Sequence, residues 1–175
     1  MAITVRRADL WRAETANTPG SLAAALKPLA EKGTDLEIVM GYATPDRSGA
    51  VVEVSPVSSP ADRKAARAAG LAQSSFPCVM ISGGNRPGLG YDVAQALAEA
   101  GININFFVAQ SLGNSYTGLF SFEAATEADL AVRIIRKTVG GGVRLSGSKA
   151  VAAKRPAANR KSAAPAKRKA APRRR

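Results

Sequence analysis

Asn85-Arg86-Pro87-Gly88, followed by Leu97-Ala98-Glu99-Ala100-Gly101, repeats an earlier part of the chain: Asn17-Thr18-Pro19-Gly20, followed by Leu29-Ala30-Glu31-Lys32-Gly33. Each matched residue lies 68 positions from its twin (17 to 85, 33 to 101). A constant internal register means two copies of one structural unit, and it has to be recognised before any local reading. Each copy spans about 70 residues, small for a domain.

Working outward from the second copy, Cys78 to Ser82 is an apolar strand and Gly83 to Gly88 a turn. Leu89 to Ala100 is a helix with Leu89, Val93, Ala96, Leu97 and Ala100 on one face. Asn85 is placed to cap this helix, Pro87 to start it and Gly101 to end it. Ile102 to Leu112 is extended, Gly113-Asn114-Ser115 turns, and Tyr116 to Glu123 alternates as the other arm of a hairpin. A second helix opens at Thr126 and ends at Gly140-Gly141-Gly142, and Val143-Arg144-Leu145 is a candidate last strand. The first copy follows the same order. Leu10 to Thr15 is a strand and Ser21 to Lys32 a helix. Asp35 to Tyr42 and Ala50 to Val54 form a hairpin around Thr44-Pro45-Asp46, Ala61 to Ala69 is a helix, and Leu71 to Ser75 is a weak last strand. Pro28 falls inside the first helix, where a kink is expected.

Strand-helix-strand-strand-helix-strand is the split βαβ plan, so the fold class is α+β with two ferredoxin-like βαββαβ modules packed side by side. The boundaries are 1–75 for the first module, 76–147 for the second and 148–175 for a basic tail. Phe106, Val108, Phe120 and Phe122 cannot all face one pair of helices, so the helix-free side of the sheet needs cover from the other copy or another chain.

The Asn-x-Pro-Gly turn between strand and helix, then Gly101-Ile102-Asn103-Ile104, a hairpin and a helix, resembles the ACT domain, the small regulatory module of amino-acid metabolism. The likeness is nearest to the serine-sensing ACT domain of phosphoglycerate dehydrogenase. The first copy matches through Asn17-Thr18-Pro19-Gly20, Gly33 and Leu36, and together the copies cover about residues 8–146. The resemblance implies modules that pair side by side, usually as a dimer or larger homo-oligomer. It also implies an amino acid held between the turn of one copy and the second strand of its neighbour. Carried over residue by residue, the ligand-binding positions are Asn85, Gly88, Asn103 and Ile104, and Asn17, Gly20, Asp35 and Leu36. A helix N-terminus with free N–H groups suits a carboxylate. An Asn amide offers donor and acceptor to a zwitterion. The same Asn residues are equally suited to capping their helices.

The copies are not equivalent. The serine-sensing module has a histidine two residues before the Asn, where this chain has Thr15 and Gly83. Gly90 stands where the first copy has Leu22, which predicts room for a bulkier ligand side chain in the second site. Asp35 and Glu37 replace Asn103 and Asn105, which predicts that the first site favours an ammonium group.

Composition limits the chemistry. The chain has no histidine and one cysteine, Cys78. That excludes histidine-based acid–base catalysis, an internal disulfide and cysteine-cluster zinc sites, and Cys78 before Val79-Met80-Ile81 is expected to be a buried thiol. Asp92 and Glu99 are expected on a solvated helix face. The glycines around Gly83 and Gly88 lack the spacing of a phosphate loop. Thr117-Gly118-Leu119-Phe120-Ser121-Phe122 lacks the basic residue of an RNA-recognition strand, so its aromatics are expected in a core or interface. Neither an enzyme nor any cofactor or metal site is indicated, and no apolar run approaches a membrane span.

The net charge of +12 is concentrated in one region. Residues 1–147 hold 14 Lys/Arg and all 13 Asp/Glu, whereas residues 148–175 hold the other 11 basic residues and no acid. Clusters at Lys154-Arg155, Arg160-Lys161, Lys167-Arg168-Lys169 and Arg173-Arg174-Arg175 are spaced by alanine and proline, a composition that predicts disorder. The segment resembles the tails of linker-histone-like proteins, which implies weak, sequence-independent binding of DNA or RNA; a solvated tail is the alternative. The functional expectation is a cytoplasmic, non-enzymatic regulator that binds an amino acid or similar metabolite and is tethered to nucleic acid by its tail. The alternative is a nucleoid-associated or scaffold protein whose paired modules serve only for oligomerisation.

Overall fold

The computed structural model describes residues 2–140, which fall within one compact unit. The order is β1 (Thr4–Ala8), β2 (Trp11–Ala16), α1 (Ser21–Glu31), β3 (Ile38–Ala43), β4 (Gly49–Ser55), α2 (Pro60–Ala68), β5 (Ala72–Gln73), β6 (Cys78–Gly84), α3 (Leu89–Glu99), β7 (Phe106–Leu112), β8 (Ser115–Ser121) and α4 (Ala125–Gly140). They build two four-stranded antiparallel sheets, ordered β3-β4-β2-β5 and β1-β6-β8-β7, with two helices packed on each.

The repeat persists in three dimensions. β2, α1, β3, β4 and α2 recur as β6, α3, β7, β8 and α4. Alternation along the strands explains each core. Trp11, Ala13, Val52 and Val54 turn toward α1 and α2 with Ala25, Leu29, Ala65 and Ala66. Val79, Ile81, Phe120 and Phe122 turn toward α3 and α4 with Leu89, Val93, Leu97, Ala131 and Ile135. Phe120 and Phe122 are therefore core residues, not a base-stacking surface. α1 contains Pro28, as the sequence requires.

One strand is not where the sequence places it. Thr4–Ala8, within the stretch assigned to the first module, pairs with β6 from Thr4↔Ser82 to Ala8↔Cys78. It takes the fourth-strand position of the second sheet, where Val143-Arg144-Leu145 was expected; those residues lie outside the described ones. The chain then crosses through Asp9 and Leu10 straight into β2 of the other sheet. Side chains secure the crossing. Arg7 reaches Asp129 of α4 at 2.7 Å, Arg136 donates to the Val5 carbonyl at 2.9 Å, and Arg6 reaches Glu37 ahead of β3 at 2.6 Å.

The two sheets stay separate, and their helix-free sides meet through a third cluster. Ala8, Leu10, Ile38, Cys78, Met80 and Leu119 form it, with Met40 and Phe106 against them. This differs from a side-by-side pairing that joins sheet edges, because the outer edges of β3 and β7 carry no strand partner within the described chain. Cys78 is fully buried here, and burial pushes its thiol up to about 11, so it is protonated near neutrality.

Candidate functional site

The strand-to-helix turns are the natural place to look, and the two copies build them differently. In the first copy β2 ends at Ala16 and the chain runs through Asn17-Thr18-Pro19 to Gly20. Gly20 adopts φ 92°, and this left-handed residue, not a side chain, precedes α1. Gly88 does the same before α3, with φ 79°. Neither helix has a side-chain cap, so Asn17 and Asn85 do not play the capping role the sequence offered them. The Asn17 amide instead donates to the Arg47 carbonyl at 3.3 Å, tying the turn to the β3–β4 hairpin. That hairpin is fixed by Asp46, which accepts from Thr44 at 2.6 Å and Ser48 at 2.7 Å. The hydrogen bonds of Thr44 and Ser48 hold the Asp46 carboxyl down to about 2.

Beside this turn lies an open groove of about 200 Å3, lined by Asn17, Thr18, Ser21 and Leu22 on one side and by Tyr42 and Val51 on the other. α1 carries no acidic residue in its first turn, so its positive end is not neutralised. The groove combines hydroxyls (Thr18 and Ser21, 3.0 Å apart), an amide and an apolar wall. That mixture suits a small molecule with a carboxylate at one end.

The second turn is tied to its own hairpin by the Asn85 N–H donating to the Asn114 carbonyl at 2.7 Å. Arg86 folds back over α3 and pairs with Asp92 at 2.5 Å, and the Asp92 side chain is only 5% exposed. Asp92 is therefore buried beside the turn, not on a solvated face; Glu99 does lie on the surface, accepting from Gln95. The counterparts of Arg86 and Asp92 in the first copy are Thr18 and Ala24, so only the second turn has this clamp. The room predicted beside Gly90 is also taken. A Cβ there would lie 3.5 Å from the Tyr116 hydroxyl and 3.7 Å from the Phe107 ring. A larger ligand side chain does not fit against Gly90 while these rings stand there.

Of the eight positions carried over from the resemblance, Asn17 lines the open groove. Leu36 and Ile104 pack on the cores of their own modules, while Asp35, Asn103, Gly20, Gly88 and Asn85 are exposed. A separate cleft of about 160 Å3 opens where β3 crosses the second sheet, lined by Glu37, Met40, Val108, Gln110 and Thr117; none of the eight lines it. Sequence reasoning missed the Arg86–Asp92 pair and Tyr116. The available signal was the comparison of twins, Asp92 for Ala24; Tyr116 for Ala50 and Gly118 for Val52 emerge only once the strands are paired, because the first hairpin is two residues longer. Among the described residues no cluster of potential metal ligands occurs, and no helix is long and apolar enough to cross a membrane.

No family model and no curated protein matches the sequence. The fold, however, is shared with solved structures. A protein from Bacteroides thetaiotaomicron is 16% identical with a TM-score of 0.59, the match covering 75% of this chain and 88% of that one. The ligand-free regulatory subunit of aspartate kinase from Thermus thermophilus is 18% identical with a TM-score of 0.53, covering 79% and 97%. The aspartate kinase of Clostridium acetobutylicum is 12% identical with a TM-score of 0.53, covering 78% of this chain and 34% of that one. The described residues thus share an α+β fold with that regulatory subunit: two four-stranded antiparallel sheets with four helices.

Proposed function

We propose that this protein is a non-enzymatic regulator that binds an amino acid or similar small carboxylate at its strand-to-helix turns. The observation that carries the reading is the groove at the uncapped start of α1, where Asn17, Thr18 and Ser21 converge with the positive end of a helix. The fold shared with a kinase regulatory subunit supports a regulatory role over a catalytic one. In this reading Asn17 and Gly20, and Asn85 and Gly88, face the ligand. Asp35 and Leu36, and Asn103 and Ile104, approach from a second copy of the chain. The serine-sensing resemblance makes serine the first candidate.

Pairing of two chains is supported by the outer edge of β7. Phe107, Val108 and Leu112 are exposed on it, and no charged residue occurs from Ala100 to Phe122. An apolar, uncharged edge strand invites a partner strand, and self-pairing incurs no like-charge repulsion. Val108→Lys is expected to halve the mass seen by light scattering; an unchanged mass would reject β7 as the interface.

Residues 148–175 lie outside the described ones. Their 11 basic residues and absent acids support weak polyanion binding from Lys154 to Arg175. The test joins both halves of the function. Thermal melting of the full chain across the standard amino acids should give at least one stabiliser, and ten times its Kd raises stability by about 1.4 kcal/mol. Retention on DNA at low salt should vanish when residues 148–175 are deleted. A chain that no amino acid stabilises would leave the oligomeric scaffold as the better reading.

A further inference from the structure

We propose that Tyr116 selects the ligand of the second turn, its hydroxyl donating to an oxygen of a small carboxylate held at the start of α3. This rests on the turn-binding reading above and adds to it a named residue and a size limit. Tyr116 is only 6% exposed, yet its hydroxyl has no hydrogen-bond partner among the described residues. A buried hydroxyl left unpaired destabilises a fold that phenylalanine would serve as well. The hydroxyl lies against the first turn of α3, 3.5 Å from where a Cβ of Gly90 would stand, and α3 begins without a side-chain cap. Asp92 stands in the first turn of α3, where α1 has no acid, but Arg86 pairs with it, so an uncapped helix start beside an unpaired buried donor is a place for an anionic oxygen.

The twin positions show that this arrangement is built. In the first copy the bulk sits on the helix, where Leu22 reaches to 3.5 Å from the Cβ position of Gly41, with Ala50 and Val52 at the matching places on β4. In the second copy the bulk sits on the strand. Gly90 replaces Leu22, and in the paired ladders Tyr116 replaces Ala50 and Gly118 replaces Val52. A Cβ on Gly118 would lie 3.0 Å from the Tyr116 ring, so the ring needs that glycine. Phe107 replaces Val39 and stacks on Phe120 at 4.3 Å, closing the apolar side. What remains is a short, rigid wall whose polar tip is one hydroxyl. It rejects the bulkier ligand that Gly90 alone suggests, which limits the proposed ligand to a small carboxylate. Burial raises the Tyr116 hydroxyl above its ordinary range, which keeps it a neutral donor at physiological pH.

The test is calorimetry and melting of the full chain and of Tyr116→Phe, using the amino acid that stabilises the wild type most. Without ligand, the variant is expected to melt at the same or a higher temperature. With ligand, the wild type should show two non-equivalent sites, and the variant should keep one and weaken the other at least tenfold. Superposable isotherms would overturn the role of Tyr116 while leaving the regulatory reading intact. A ligand-free loss of several degrees would also overturn it, because the hydroxyl would then serve the fold alone. A wild type that binds no amino acid would end both.

Discussion

Deleting residues 2–8 is expected to unfold the second sheet while the first retains its core. β1 forms the outer ladder of β6, five residues in register, and places Val5 and Ala8 in two cores at 3% and 6% exposure. Burying a side chain such as Val5 contributes about 1.5–3 kcal/mol. The deletion also strips Arg136, Asp129 and Glu37 of their partners and opens one edge of β6, whose residues Cys78 to Ile81 are fully buried. Against a total of about 5–15 kcal/mol for a folded domain, that loss is decisive. Trp11, the single tryptophan, sits in the first module's core at 4% exposure and reports on that half alone. Urea unfolding followed by Trp11 fluorescence and by far-ultraviolet dichroism should coincide in the full chain and separate in the deletion. Coincident, unshifted transitions in both chains would show that β1 does not complete the second sheet.

Phe120→Ala is expected to be the most damaging single truncation in the second module. The ring is fully buried at the centre of the α3–α4 core and stacks on Phe107 with centroids 4.3 Å apart and planes 22° apart. Large-to-small changes of this kind cost about 3–5 kcal/mol, because transfer and cavity effects add. At about 2–4 °C per kcal/mol for a chain of this size, the melting temperature should fall by roughly 10 °C. Leu112→Ala, at a position 84% exposed on the same sheet, should leave it nearly unchanged. Equal losses from the two variants would mean that β7 and β8 present the opposite faces.

The repeat, the order of elements from β2 onward and most helix limits were legible in the sequence, because they depend on local periodicity and on turns that recur at a fixed spacing. The first strand was not. Thr4–Ala8 is short, carries two arginines and finds its partner in the other module, at a separation that no local pattern reports. The site was legible in position only. The Asn-x-Pro-Gly turns do sit at helix starts, but the left-handed Gly20 and Gly88 take over the helix entry, and neither asparagine caps its helix. Asp92 looked solvated because its burial depends on Arg86 folding back over the helix. Gly90 suggested space because the ring that fills it comes from Tyr116, a strand away. In each case the deciding contact is tertiary.

The central claim is that ligand binds at a strand-to-helix turn. The most direct measurement is the change in backbone amide resonances of the 15N-labelled full chain as the stabilising amino acid is added. The account predicts that the largest shifts fall on Thr18 to Ala23 at the start of α1, with a second group on Gly90 and Tyr91 at the start of α3. Shifts confined to Glu37–Met40 and Val108–Gln110, the cleft between the sheets, would contradict it.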